Sequence, residues 1–254
     1  MTEQQTFWDH LEVLRGCIWR ILVAVVVGGV AAFCMKDPLF DLVLAPTRSD
    51  FIVYRWMGAD AFTLHLINTG LAEQMMIHLK MALCAGLLVA SPYVVYVLFS
   101  FVAPALYAHE RRYSLRLTLA AYLMFIVGLA VNYLTIFPLT VRFLGTYQVS
   151  TDIDNMLTIS SYIDTLLMMS ITFGIVFEIP VLSWLLGKFG LLRAEWMRHF
   201  RRHAIVVILI AAAIITPTAD MFTLLVVSLP IWLLYELSIV IVRVQENNNV
   251  PTQS

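Results

Sequence analysis

The sequence predicts an all-α, polytopic membrane protein with six transmembrane helices, and three observations carry that prediction. The 254 residues are 61% apolar and only 13% charged, against about 45–50% and about 25% for ordinary soluble domains. Apolar stretches long enough to cross a ~30 Å hydrocarbon layer, which takes ~20 helical residues, recur along the chain. No short alternating strands of the kind a membrane β-barrel needs are visible, so the backbone must satisfy its polar groups within helices.

Ahead of the first span, Phe7, Leu11, Leu14 and Ile18 form one helical stripe, as expected of a segment lying along the membrane face before turning in. Asp9 and Glu12 occupy its polar side. The first span is expected near Cys17 to Met35. It is read as retained, because Glu3, Asp9 and Glu12 precede it where a cleaved signal peptide has a basic region. The loop from Lys36 to Met75 carries Pro38 and Pro46 and mixes apolar with polar residues, predicting a partly helical, ordered segment. Further spans are expected near Met76 to Leu98, Leu115 to Pro138 and Ile163 to Gly187, with Leu139 to Tyr162 adding to the outer loops.

The fifth span, Ala204 to Thr216, is only 13 residues, or ~20 Å at ~1.5 Å per residue. Pro217 disfavours helix at the residue before it, and a sixth span, Met221 to Val242, begins almost at once. A helical hairpin this short implies local thinning of the bilayer or shielding by partners. The chain reads as a single integral-membrane domain over residues 1–254, with no visible internal repeat.

Both termini are placed in the cytoplasm by the distribution of basic residues. That side then holds Arg15, Arg20, Arg111, Arg112, Arg116, Lys188, Arg193, Arg198, Arg201, Arg202 and Arg243, leaving Lys36, Arg48, Arg55 and Arg142 outside. Cys17, Cys34 and Cys84 have no paired spacing and read as small apolar residues buried in the helical core rather than disulfides or metal ligands. The six His residues form no HExxH or similar cluster. Nothing points to a catalytic residue, a metal, a cofactor or a nucleic-acid partner.

Ionisable groups within spans are functional candidates by default, and here they are Glu178 in "FGIVFEIP", Glu236 in "LLYELS" and Lys80. For Lys80, snorkelling to the interface is an equally good account. For Glu236, a hydrogen bond to a neighbouring helix is the favoured one. Glu178 lies deeper, and Pro180 frees a backbone carbonyl nearby. Between the second and third spans, "FVAPALYAHERR" (101–112) sets Glu110 beside Arg111 and Arg112. An anchored loop whose arginines meet anionic lipid explains the arginines but not the carboxylate. A carboxylate at the membrane surface can accept two parallel N–H bonds from a guanidinium, so Glu110, with Glu12 and Asp9, would suit arginines on a ligand. Spacing alone does not choose between these accounts.

The same residues resemble a known family. "FVAPALYAHERR" looks like the first cytoplasmic loop of TatC, the multispanning subunit of the twin-arginine protein translocase. Further matching pieces are "HL" and "LR" within "HLEVLR" (10–15), "AP" (45–46), "SP" (91–92), "FP" (137–138), "FGIVFEIP" (173–180) and "TPTAD" (216–220). The resemblance covers nearly the whole chain. It implies a cup-shaped, six-helix receptor of the cell inner membrane that binds twin-arginine signal peptides of folded precursors and nucleates a translocase driven by the proton-motive force. The implied partners are single-span TatA-type subunits, in some systems TatB, further copies of the chain, and membrane lipids. The implied signal-peptide site is Phe101, Pro104, Tyr107 and Glu110 with Glu12, and Glu178 is the implied intramembrane docking residue.

Two departures from the family pattern stand out. The usual His-Leu-x-Glu-Leu-Arg has Val13 at its glutamate position and Glu12 one residue earlier, a rotation of ~100° on a helix. The family's Glu-Pro-Phe ahead of the lysine matched by Lys80 is here Glu73, Gln74, Met75, so this entry to the second span is expected to pack differently. Among rival functions, a proton-coupled solute transporter would show repeats and a midplane polar pathway. An intramembrane hydrolase would need a nucleophile with its base, and no GxSxG occurs.

Overall fold

Phe7 to Cys34 form one unbroken helix, α1, so the amphipathic start and the first span are a single element rather than a surface segment followed by a turn. No proline or glycine pair interrupts residues 7–15, and helix propagation continues where nothing stops it. The computed structural model describes residues 7–56, 58, 64, 66–102, 111–147, 156–216 and 220–249. The chain divides into two compact units, residues 1–45 with 68–122 and residues 46–67 with 123–254.

In the first unit α1 is followed by α2 (Lys36–Leu44). The second span, α4 (Glu73–Val102), runs antiparallel to α1: Phe33 stacks on His78 with ring centroids 4.1 Å apart, and Gly28 and Gly29 meet Gly86 further along. A Cβ on Gly86 would stand 2.5 Å from the Val25 carbonyl oxygen, so only glycine allows this approach, as small residues do at membrane helix crossings. Pro92 cannot donate to the carbonyl of Leu88 four residues back. The Ser91 hydroxyl donates to that carbonyl instead, at 2.7 Å, which accounts for the "SP" pair. At the start of α4, Glu73 accepts from the Thr69 and Gly70 N–H groups at 2.9 and 2.8 Å. Gln74 and Met75, which depart from the family pattern, are both exposed.

The second unit begins with a 3₁₀ turn (Ala45–Thr47), α3 (Ile52–Trp56) and a two-residue strand, β1 (Leu66–Ile67). Strand β1 pairs in parallel with β2 (Leu157–Thr158), Leu66 opposite Leu157. Tyr54 is buried, and its hydroxyl lies 3.0 Å from the carbonyl oxygens of both Pro46 and Pro138. Burial pushes its phenol well above the ordinary range, with the Arg142 guanidinium opposing, so the group stays a donor. The "AP" and "FP" pieces are the two acceptors it ties together.

Helix α5 (Arg111–Val131) continues through a π turn (Asn132–Ile136) into α6 (Phe137–Thr146). Then follow α7 (Ile159–Val176), α8 (Ile179–Lys188), α9 (Ala194–His199), α10 (Arg201–Ile215) and α11 (Met221–Asn249). Helix α8 ends in a Schellman turn: Gly190, at φ +69°, donates to Gly187 and Leu191 to Leu186, at 2.9 and 3.0 Å. Asp220 caps α11 by accepting from the Thr223 N–H at 2.8 Å, the role of the last residue in "TPTAD". Ala194 and Met197 pack on Ile239 and Val242 of α11.

Among the described residues five helical segments are long and apolar enough to cross a membrane: Leu11–Cys34, Glu73–Leu98, Leu117–Thr146, Ile159–Lys188 and Met221–Asn247. The expected fifth span is α10, 15 residues and correspondingly short. The outward faces are apolar; on α1, Val27 and Val30 are 64% and 62% exposed. A surface this greasy belongs in lipid, and the protein is an all-α, multi-pass membrane protein. Of the cysteines, Cys84 is buried, Cys17 half-buried and Cys34 exposed, so the apolar-core reading holds fully only for Cys84.

Candidate functional site in the fourth span

The fourth span is two helices, and the break between them positions Glu178. Pro180 has no N–H for the Val176 carbonyl, so α7 ends there and α8 starts with proline in its first turn, where the missing donor costs nothing. Phe177 and Glu178 stay near helical dihedrals, at φ/ψ −68°/−11° and −75°/−13°. The Glu178 N–H reaches back only three residues, to Ile175 at 3.1 Å, and its carbonyl accepts from Leu182 at 2.9 Å. The turn is thus tightened rather than opened, and the side chain departs about ten residues, or ~15 Å, before the basic end at Lys188.

Both carboxyl oxygens of Glu178 are shut off from solvent and have no hydrogen-bond partner among the described residues. The neighbouring packing is tight. A Cβ on Gly128 of α5 would stand 2.6 Å from the Phe173 carbonyl oxygen, and one on Gly174 would stand 2.5 Å from the Phe125 ring. One level further along, the Asn132 side-chain amide, at the start of the π turn, donates to the Ser170 hydroxyl at 3.0 Å, and the Asn132 Oδ1 has no partner among the described residues. The site therefore offers an unsatisfied carboxyl group on a helix break, beside a rigid glycine-mediated contact. Sequence reading missed the Asn132–Ser170 pair because it screened only for ionisable groups; a lone Asn in "GLAVNYLTIFP" was the available signal.

The other candidates fall elsewhere. Glu236 of α11 pairs with Arg201 of α10 at 2.6 Å, the neighbouring-helix partner expected of it, and Lys80 is exposed on α4. Glu12 and Val13 are both exposed on α1. Phe101 lies in the last turn of α4. Pro104, Tyr107 and Glu110 lie outside the described residues, as does Pro217. No group of three or more His, Cys, Asp or Glu that could hold a metal occurs among the described residues.

Residues 9–230 match the family described as TatC, Sec-independent protein translocase protein. The chain is 33% identical over 239 residues to the Sec-independent protein translocase protein TatC of Carboxydothermus hydrogenoformans, covering 94% of this chain and 93% of that one. It is 36% identical over 234 residues to the TatC of Koribacter versatilis, covering 92% and 83%. A crystal structure of the twin-arginine translocase receptor TatC superposes with a TM-score of 0.79 at 30% identity, covering 93% of this chain and 99% of that one. Taken with five long apolar helices and a carboxyl-bearing break in the fourth span, these matches establish that the chain belongs to the TatC family and is a component of the twin-arginine, Sec-independent protein translocase.

Proposed function

We propose that this protein is the receptor of that translocase: it binds the twin-arginine signal peptides of folded precursors and nucleates the complex that exports them using the proton-motive force. Family membership along residues 9–230, which include the Glu110 loop, is the observation that supports the reading. It acts without enzymatic turnover, as one integral-membrane domain of the cell inner membrane with both termini cytoplasmic. The surplus of arginines on the faces assigned to the cytoplasm supports that orientation. Its partners are TatA-type single-span subunits, TatB in systems that have it, and further copies of itself.

Glu110 accepts the arginine pair of the signal, with Phe101, Pro104 and Tyr107 shaping the loop and Glu12 contributing from α1. Val13 accepts no hydrogen bond, and Glu12 projects from another face of the helix, so Glu110 carries most of the charge-assisted contact. Such bonds contribute ~1.5–3 kcal/mol, about tenfold or more in affinity. Glu178 serves docking of a partner helix or gating. The test is signal-peptide affinity in detergent at fixed salt, because exposed charges are screened. Glu110→Gln weakens binding about tenfold or more, Glu12→Gln only mildly, and Val13→Glu tightens it. An equal loss in Glu12→Gln and Glu110→Gln would place Glu12 in the arginine contact and refute this division of labour.

A further inference from the structure

We propose that the groove between α1 and α4 at the level of Arg20 binds an anionic phospholipid, with the lipid phosphate on Arg20 and an acyl chain over Val23, Ala24 and Tyr93. The two helices touch through Gly28, Gly29 and Gly86. Toward the N-terminal end of α1 they leave an open groove of about 540 Å³, lined by Trp19, Arg20, Val23, Ala24 and Tyr93. The small side chain of Ala24 leaves room in it, and Trp19 and Val23 are 58% and 54% exposed. Among the described residues of this unit, none covers that apolar surface.

The level of the groove in the bilayer follows from the sequence. Arg20 is the last charged residue before the apolar run Ile21 to Met35, which is ~22 Å long at ~1.5 Å per residue. Because that is short of a ~30 Å core, Arg20 lies just inside the boundary, from which its long side chain snorkels to the headgroups, and Trp19 and Tyr93 are residue types that favour that boundary. Among the groove's five residues Arg20 alone is charged, and no described carboxylate pairs with it.

Charge decides between occupants. An apolar helix from another protein would cover Arg20 without a counter-charge, and an unpaired buried guanidinium is strongly unfavourable. A phospholipid brings its chain and a phosphate together, and guanidinium binds phosphate through two parallel N–H bonds. A net anionic headgroup is preferred over a zwitterionic one, whose own cation competes with Arg20 for the phosphate.

The experiment is native mass spectrometry of the purified full-length protein, titrated with phosphatidylglycerol or phosphatidylcholine, each variant first checked for unchanged thermal unfolding. Wild type retains phosphatidylglycerol in preference to phosphatidylcholine. Arg20→Gln lowers phosphatidylglycerol affinity roughly fivefold, the size of one basic side chain's attraction to an anionic surface, and Arg20→Lys, which keeps the charge but not the paired N–H bonds, restores only part of it. Ala24→Leu, which fills the groove, lowers retention of both lipids. Arg202→Gln, the same charge loss on α10, leaves both unchanged. Equal losses in Arg20→Gln and Arg202→Gln, or no preference between the lipids, would overturn the site. So would a photocrosslinker at position 24 that captures a protein rather than lipid in native membranes.

Discussion

Both oxygens of the Glu178 carboxyl group are enclosed without a hydrogen-bond partner among the described residues, a state that costs several kcal/mol unless a polar group from outside them completes it. The cause is local: Pro180 tightens the turn and fixes where the side chain leaves the helix. Glu236 shows the contrasting case, since Arg201 satisfies it at 2.6 Å across a half-exposed surface, where an ion pair contributes little. Glu178→Ala is therefore expected to leave signal-peptide binding near wild type while export falls about tenfold or more, the loss of one charge-assisted contact. Parallel peptide-binding and export measurements check this. If binding, export and folded protein all fall together, the residue is structural.

At the scale of elements, glycine sets how closely the helices approach. Gly86 lets α4 lie against the backbone of α1, whereas Gly16 has nothing within 4 Å of a prospective Cβ. Gly86→Val is expected to lower the melting temperature in detergent markedly, since overpacking a tight contact costs about 1–3 kcal/mol and the obstructing atoms are backbone. Gly16→Ala should raise it slightly, by the ~0.5–1 kcal/mol that alanine gains over glycine in a helix interior. Equal effects at the two positions would show that helix propensity, not the α1–α4 approach, dominates. The same logic explains why "SP" is tolerated inside a span: Ser91 takes over the carbonyl that Pro92 abandons, as transmembrane helices allow.

For the whole molecule, membership of a Sec-independent translocase family sets the expected phenotype. A clean deletion should strand folded twin-arginine precursors in the cytoplasm while Sec-dependent export continues. Fractionation of precursor and mature forms of both substrate classes measures it, and normal export of the twin-arginine class would refute the assignment. Short α10, at 15 residues, spans only ~22 Å, less than a ~30 Å hydrocarbon core. A mismatch of this size is accommodated in general by local thinning of the bilayer or by neighbouring helices, and the second route suits a component of an assembled translocase.

Composition and the spacing of apolar runs were enough to establish an all-α membrane protein, because crossing hydrocarbon imposes a length and a polarity that any single segment reveals on its own. The motifs "FVAPALYAHERR", "FGIVFEIP" and "TPTAD" were enough to suggest the family. Glu178 was legible for the same reason, as a charge where charges are expensive. Whether a charge has found a partner is not written in its own segment: Glu236 and Arg201 are 35 residues apart, and only the packing of α10 on α11 joins them. The Asn132–Ser170 bond, the bridge from Tyr54 to Pro46 and Pro138, and the β1–β2 pair were likewise invisible. Each depends on distant segments meeting at hydrogen-bond distance, and that proximity is decided by tertiary packing rather than by local sequence.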